Sequence, residues 1–157
     1  MSDKNLRNNL VELLRGGHAH TTIEKALEGI NNKNRNIIPE GMDHSVWEIL
    51  EHMRIATWDI LEFSRDAQHV SPKWPDGYWP KSPKPPNEKA WAKSVQAVNA
   101  DIKAMSKLIA ADSTDLYAPI PHGDGQTILR EALLIANHNA YHLGELVLVR
   151  RLLGAWK

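Results

Sequence analysis

Apolar residues recur at helical spacing along most of the chain. Leu6, Leu10, Leu13 and Leu14 fall three or four apart in a segment from about Asn5 to Arg15, which meets Gly16-Gly17, a pair suited to closing a helix. The apolar face resumes at Ile23, Ala26, Leu27 and Ile30, and Thr21-Thr22-Ile23-Glu24 has the form of a capping box, so the spacing predicts a first helix in two pieces. Val46, Ile49, Leu50, Met53, Ala56, Ile60 and Phe63 mark a longer helix opened by a second capping box, Ser45-Val46-Trp47-Glu48. Asn87 is a suitable N-cap for a third, carried by Trp91, Val95, Val98, Ile102, Met105 and Ile109 and ending near Ala111-Asp112. The last runs from about Gln126 to Leu153, with Gly154 just beyond it.

The polar and apolar alternation of a strand is not seen over any useful length, nor is an internal repeat. The interval from Val70 to Pro86 breaks the helical pattern with six prolines, Gly77 and the aromatic residues Trp74, Tyr78 and Trp79. It predicts an extended, aromatic-lined connection, because proline removes a backbone donor and clashes with a preceding helical turn. A connection of this length can cross the end of a bundle and let its flanking helices run parallel. The expectation is one all-α domain over residues 1–157, a four-helix bundle with a long crossover between its second and third helices.

Composition narrows the chemistry. Nineteen basic residues balance nineteen acidic ones, so no broad positive field invites nucleic acid or anionic lipid. With no cysteine, disulfides, thiolate ligands and a cysteine nucleophile are all excluded. Apolar residues at 42% and charged residues at 24% fit a globular domain better than a disordered or membrane one. The first residues, Met1-Ser2-Asp3-Lys4-Asn5, have no leader-like apolar stretch, and no run approaches the ~20 apolar residues of a membrane helix. A cytoplasmic protein is expected.

Histidine and carboxylate are left as the reactive groups. His138 and His142 stand four apart on the last helix, about 40° apart in azimuth and roughly 6 Å along the axis, near enough to share an ion. Ile135, Leu146 and Val149 lie on the same arc, so both imidazoles point along or beside the buried face. Either alone reads as a core histidine bonded to a carbonyl; the pair with Asn139 concentrates more polarity than a passive core holds. His52, one turn from Ile49 and from Ala56, borders the apolar stripe of the Ser45 helix. It reads either as a boundary residue pairing with Glu48 or water, or as the third ligand that an open zinc-type site requires.

The segments His44-Ser45-Val46-Trp47-Glu48-Ile49-Leu50-Glu51-His52-Met53 and Asn137-His138-Asn139-Ala140-Tyr141-His142-Leu143-Gly144-Glu145-Leu146 together resemble the two metal-binding helices of the DinB/YfiT superfamily. The resemblance implies a bundle of up-down-down-up connectivity, with His52, His138 and His142 as ligands of a divalent ion. It also implies zinc, nickel or manganese as the usual ion, activity as a metal-dependent hydrolase or thiol-dependent transferase, and a homodimer. Histidine donors by themselves suit zinc, nickel, iron and copper alike, and with no cysteine in the chain any thiol has to come from outside as a small molecule.

Other residues carry alternatives. Glu145, one turn beyond His142, and Glu131, two turns before His138, could each fix the tautomer of a ligand imidazole, serve as general base, or be solvated. His20 is a candidate fourth ligand or proton shuttle, or a solvated residue before a cap. Tyr78 and Trp79 could roof a pocket for a small-molecule substrate or merely fasten the crossover; Trp74 reads more as fastening. His18, His69 and His122 are expected at the surface, and His44 as support for a turn. The competing class is a bundle that binds metal or a small ligand without turnover, as a sensor or stress-related binding protein.

Overall fold

The computed structural model describes residues 3–156. Its helices are α1 (Lys4–Arg15), α2 (Ile23–Leu27), α3 (Val46–Arg65), α4 (Glu88–Ala110) and α5 (Ile128–Leu152), with a 3-10 turn at Asp76–Tyr78 in the connection between α3 and α4. Among the described residues the only strand-like feature is a single bridge between Pro119 and Thr127, and no helix is long and apolar enough to cross a membrane.

The helix starts follow from local chemistry. Ser45 and Glu48 form the expected reciprocal capping box, each side chain meeting the other's backbone N–H, and Asn87 accepts from the N–H of Ala90. The start of α5 falls slightly later than its apolar pattern indicates, because the hydroxyl of Thr127 accepts from the N–H of Arg130 and so sets the first turn. The expected capping box at Thr21 is corrected. Thr22 is the cap, accepting from the N–H of Lys25, while the Thr21 hydroxyl is buried without a partner. The helix it opens is also shorter than the apolar spacing predicts: α2 stops at Leu27, and Ile30 packs on the core from the following turn.

Packing assigns the faces. Helix α3 lies against both α4 and α5, α1 lies against the same two, and α1 and α3 make no close approach of their own among the described residues. Ile49, Leu50, Met53 and Leu61 of α3 meet Met105 and Ile109 of α4 and Ile135 and Leu146 of α5 in the fully buried centre. Each such side chain contributes on the order of 1.5–3 kcal/mol relative to exposure. The α3–α5 contact sets the stage for the histidines, since it fixes which residues of the two helices share the same layer.

Two arginines close the ends. Arg7 donates to the carbonyls of Ile109, Ala111 and Thr114 where α4 ends. Arg150, buried, donates to the carbonyls of Ala26 in the last turn of α2, of Glu28 just after it, and of Ala155 in the C-terminal turn.

Candidate metal centre

Helix α3 brings His52 and helix α5 brings His138 and His142 to one point. One ring nitrogen from each lies within 4.8 Å of the others, a grouping small enough to hold a metal ion. His52 is 3% exposed and His142 8%, so His52 belongs to the interior and not to the border of the apolar stripe. The Nε2 atoms of His52 and His138 are 3.0 Å apart.

Hydrogen bonds on the far sides of the rings fix which nitrogen faces inward. His52 Nδ1 lies 2.9 Å from the carbonyl oxygen of Tyr78. A carbonyl only accepts, so that nitrogen carries the proton and Nε2 of the neutral ring presents a lone pair to the cluster. His142 Nδ1 is 2.8 Å from Oε2 of Glu145, which leaves its Nε2 free in the same way. His138 has no such support: its Nδ1 is buried with no hydrogen-bond partner. Burial pushes His52 below the ordinary histidine range, and burial, reinforced by His142 and His52, pushes His138 down to about 4. Neutral imidazoles with inward lone pairs are the form in which histidine binds metal.

The donor set therefore fits a borderline divalent ion. Two nitrogens held at about 2.0–2.1 Å from one tetrahedral zinc-type ion are themselves about 3.3–3.4 Å apart, within a few tenths of an ångström of the 3.0 Å between His52 and His138. With the His52 proton on Nδ1, the His52–His138 hydrogen bond takes a proton on His138 Nε2, and His138 then keeps a buried, unmet Nδ1. A cation among the lone pairs removes the need for that proton. All-nitrogen ligation does not by itself choose among zinc, nickel, iron and copper.

Around the rings stand residues from the crossover and the turn before α3. The Trp79 indole is parallel to the His52 ring, centroids 4.0 Å apart, and parallel to His44 at 3.8 Å. Two rings stacked on one indole at those spacings must occupy its opposite faces, so Trp79 is sandwiched and its His52 side covers the cluster. It also meets His142 edge-on at 6.0 Å. The Tyr78 phenol turns away to donate to Asp59 Oδ2 at 2.5 Å, and His69 Nε2 lies 2.7 Å from Oδ1 of the same carboxylate. Burial, followed by the bond to Asp59, raises the phenol far above its usual titration range. Tyr78 thus touches the site through its backbone and not its ring.

Several expected positions come out differently. His69 is not a surface residue: its side chain is 7% exposed and paired with Asp59. Glu131 is buried, and its ion pair goes to Arg130 and not to an imidazole. His20 is exposed, with Nδ1 2.8 Å from the Thr21 carbonyl, on a small crevice that also reaches Asn139 and Ala140. His122 is exposed as expected, though tied to the carbonyl of Phe63. His44, expected to support a turn, instead stacks on Trp79 and sits 3.5 Å from Glu145 Oε1. That carboxylate lies behind His142, where the proton on Nδ1 holds it in the charged form. Asp59 was not evident from the sequence; its one signal is its place two turns beyond His52 on the same side of α3.

The DinB superfamily model matches residues 18–146. None of the curated proteins and none of the solved structures compared with the chain matches it. The matched stretch takes in α2 through most of α5 and all three imidazoles, and on that extent the chain belongs to the DinB superfamily.

Proposed function

We propose that this chain is a metal-dependent enzyme acting on a small-molecule substrate, with His52, His138 and His142 as ligands. The observation that carries the reading is the convergence of three imidazoles, one ring nitrogen of each lying within 4.8 Å of the others, with two of the rings oriented from behind by Tyr78 and Glu145. Zinc or nickel is the first choice, manganese or iron the second. When bound, such an ion supplies a Lewis acid that lowers the pKa of a water or an external thiol, which makes hydrolysis and thiol transfer the two reaction classes.

The chain's own residues have distinct parts. Glu145 holds the proton on His142 Nδ1 and so keeps its Nε2 available; its carboxylate lies on the far side of the ring from the cluster. Trp79 excludes water from one face of His52, against which it stacks at 4.0 Å. Tyr78 orients His52 with its carbonyl. His20 is kept as the candidate proton carrier on the strength of its place before α2 alone: the crevice it shares with Asn139 is lined by none of the three imidazoles. On the family pattern we read the bundle as up-down-down-up and the protein as a cytoplasmic homodimer.

The test is to load purified protein with zinc, nickel, manganese or iron, measure stoichiometry by elemental analysis, and assay esters, amides and electrophile–thiol pairs. One ion per chain, lost in His138→Ala, with turnover in at least one class, supports the proposal. One ion with no turnover in any class favours the non-catalytic alternative, a metal- or ligand-binding bundle. The cover of Trp79 over His52 gives that alternative its own footing.

A further inference from the structure

The crossover does more than connect α3 to α4. Tyr78 is held at two places on α3: its phenol by Asp59 and its backbone carbonyl by His52. These anchor residues are two turns apart on the helix, about 10 Å along its axis, so Tyr78 lies along α3 and bridges them. His69, earlier in the same connection, takes the other oxygen of Asp59 and packs edge-on against Trp58. The turn between is tight: Gly77 donates to the Lys73 carbonyl at 2.7 Å, and a Cβ at Gly77 would come within 2.8 Å of Pro72. The next residue, Trp79, fills the space between His44 and His52. Clefts of about 430 and 500 Å³ open elsewhere, beside Leu14 and Ile102 and beside Arg150 and Trp156, and no histidine of the cluster lines either.

We infer that Asp59 is a positioning residue for the imidazole cluster. By gripping the Tyr78 phenol and His69 it straps the crossover onto α3, and the strap in turn sets the tautomer of His52 and keeps Trp79 over its ring. The hydrogen bonds of Asp59 go to Tyr78 and His69 and not to His52, His138 or His142; its influence passes through one tyrosine whose two ends do different jobs. The effect on ion affinity rests on the metal reading given above, whereas the effect on His52 does not.

Two variants of the full chain separate these claims: Tyr78→Phe, which removes one hydroxyl, and Asp59→Asn, which keeps the volume of a buried group. The first readout is the His52 Nδ1–H resonance by NMR in metal-free protein, which a bond to a buried carbonyl protects from exchange. In Tyr78→Phe it is expected to broaden or exchange away while the remaining amide spectrum and the helical circular dichroism persist. The second is zinc affinity by competition with a chromogenic chelator, expected to fall about 10- to 100-fold in both variants, the usual cost of losing an outer partner of a ligand. A His52 resonance equally protected in Tyr78→Phe and in the unaltered chain overturns the inference, as does unchanged zinc affinity in both variants. If the unaltered chain binds no ion, the metal reading fails alone, and the resonance decides the strap.

Discussion

His138 is the residue where the cost of the site is most visible. Its Nδ1 is buried without a partner, its ring is pushed to a pKa of about 4 by burial and by its two neighbours, and its Nε2 faces another imidazole at 3.0 Å. A buried polar atom with no hydrogen bond costs about 1–3 kcal/mol. His138→Leu should therefore stabilise the metal-free protein by ~1 kcal/mol or more, which for a chain of this size raises the melting midpoint by roughly 2–4 °C per kcal/mol. The same substitution should abolish stoichiometric zinc binding. A melting curve and a zinc titration on the same sample check both signs. A lower midpoint in the metal-free variant would falsify the view that His138 is kept for what it binds. Glu145 offers the milder case. Glu145→Gln keeps an acceptor for His142 but loses the charge, so zinc affinity should fall by about tenfold, the lower end of such effects, with the fold intact by circular dichroism.

At the level of elements, the start of α3 carries more than a cap. Ser45 is fully buried; its oxygen accepts from the Glu48 N–H and lies 2.8 Å from the carbonyl of Pro83. The capping box and the seat of the crossover are thus one group of atoms, placed one residue after His44. Ser45→Ala should cost about 1–2 kcal/mol, the upper range for a cap, seen as a lower urea midpoint with an unchanged slope. This element was legible in the sequence because both partners are local: hydroxyl, three-residue spacing and carboxylate stand together in Ser45-Val46-Trp47-Glu48. The pairing of His52 with His138 and His142 was legible through the resemblance of the two segments His44–Met53 and Asn137–Leu146 to metal-binding helices; periodicity alone set His138 and His142 near a buried face and left His52 at the border of its stripe. What could not be read were contacts made across the crossover. Asp59 looks like an ordinary polar position of α3, and only the folded path of 69–79 brings His69 and Tyr78 to it. The choice of Thr22 over Thr21 was equally hidden, since two adjacent threonines offer the same chemistry and tertiary packing decides between them. His69 read as a loop histidine for the same reason.

The whole molecule is held by ties between segments far apart in the chain. Arg150 joins α5 to the end of α2 and to the C-terminal turn, where its donors meet the carbonyls of Ala26, Glu28 and Ala155 and its guanidinium lies 4.9 Å from the ring of Trp156. Arg150→Met would strand those carbonyls, and a loss of about 2–4 kcal/mol is expected from more than one unmet buried acceptor, measured by urea unfolding. The imidazole cluster is a tie of the same kind in waiting, because its members come from α3 and α5, separated in sequence by the crossover and all of α4. An ion that binds all three has no equivalent site in the unfolded chain, so its binding adds to folding stability by mass action, ~2.7 kcal/mol at a free concentration a hundred times its dissociation constant. For a chain of this length that amounts to a rise in melting midpoint of roughly 5–11 °C. The rise should grow with the logarithm of zinc concentration in the unaltered protein, shrink in Tyr78→Phe in step with its weaker affinity, and be absent in His138→Leu. Differential scanning calorimetry across a zinc series separates this from ordinary stabilisation by salt: a shift of equal size in His138→Leu would mean that the ion binds elsewhere, and the three imidazoles would lose their claim to it.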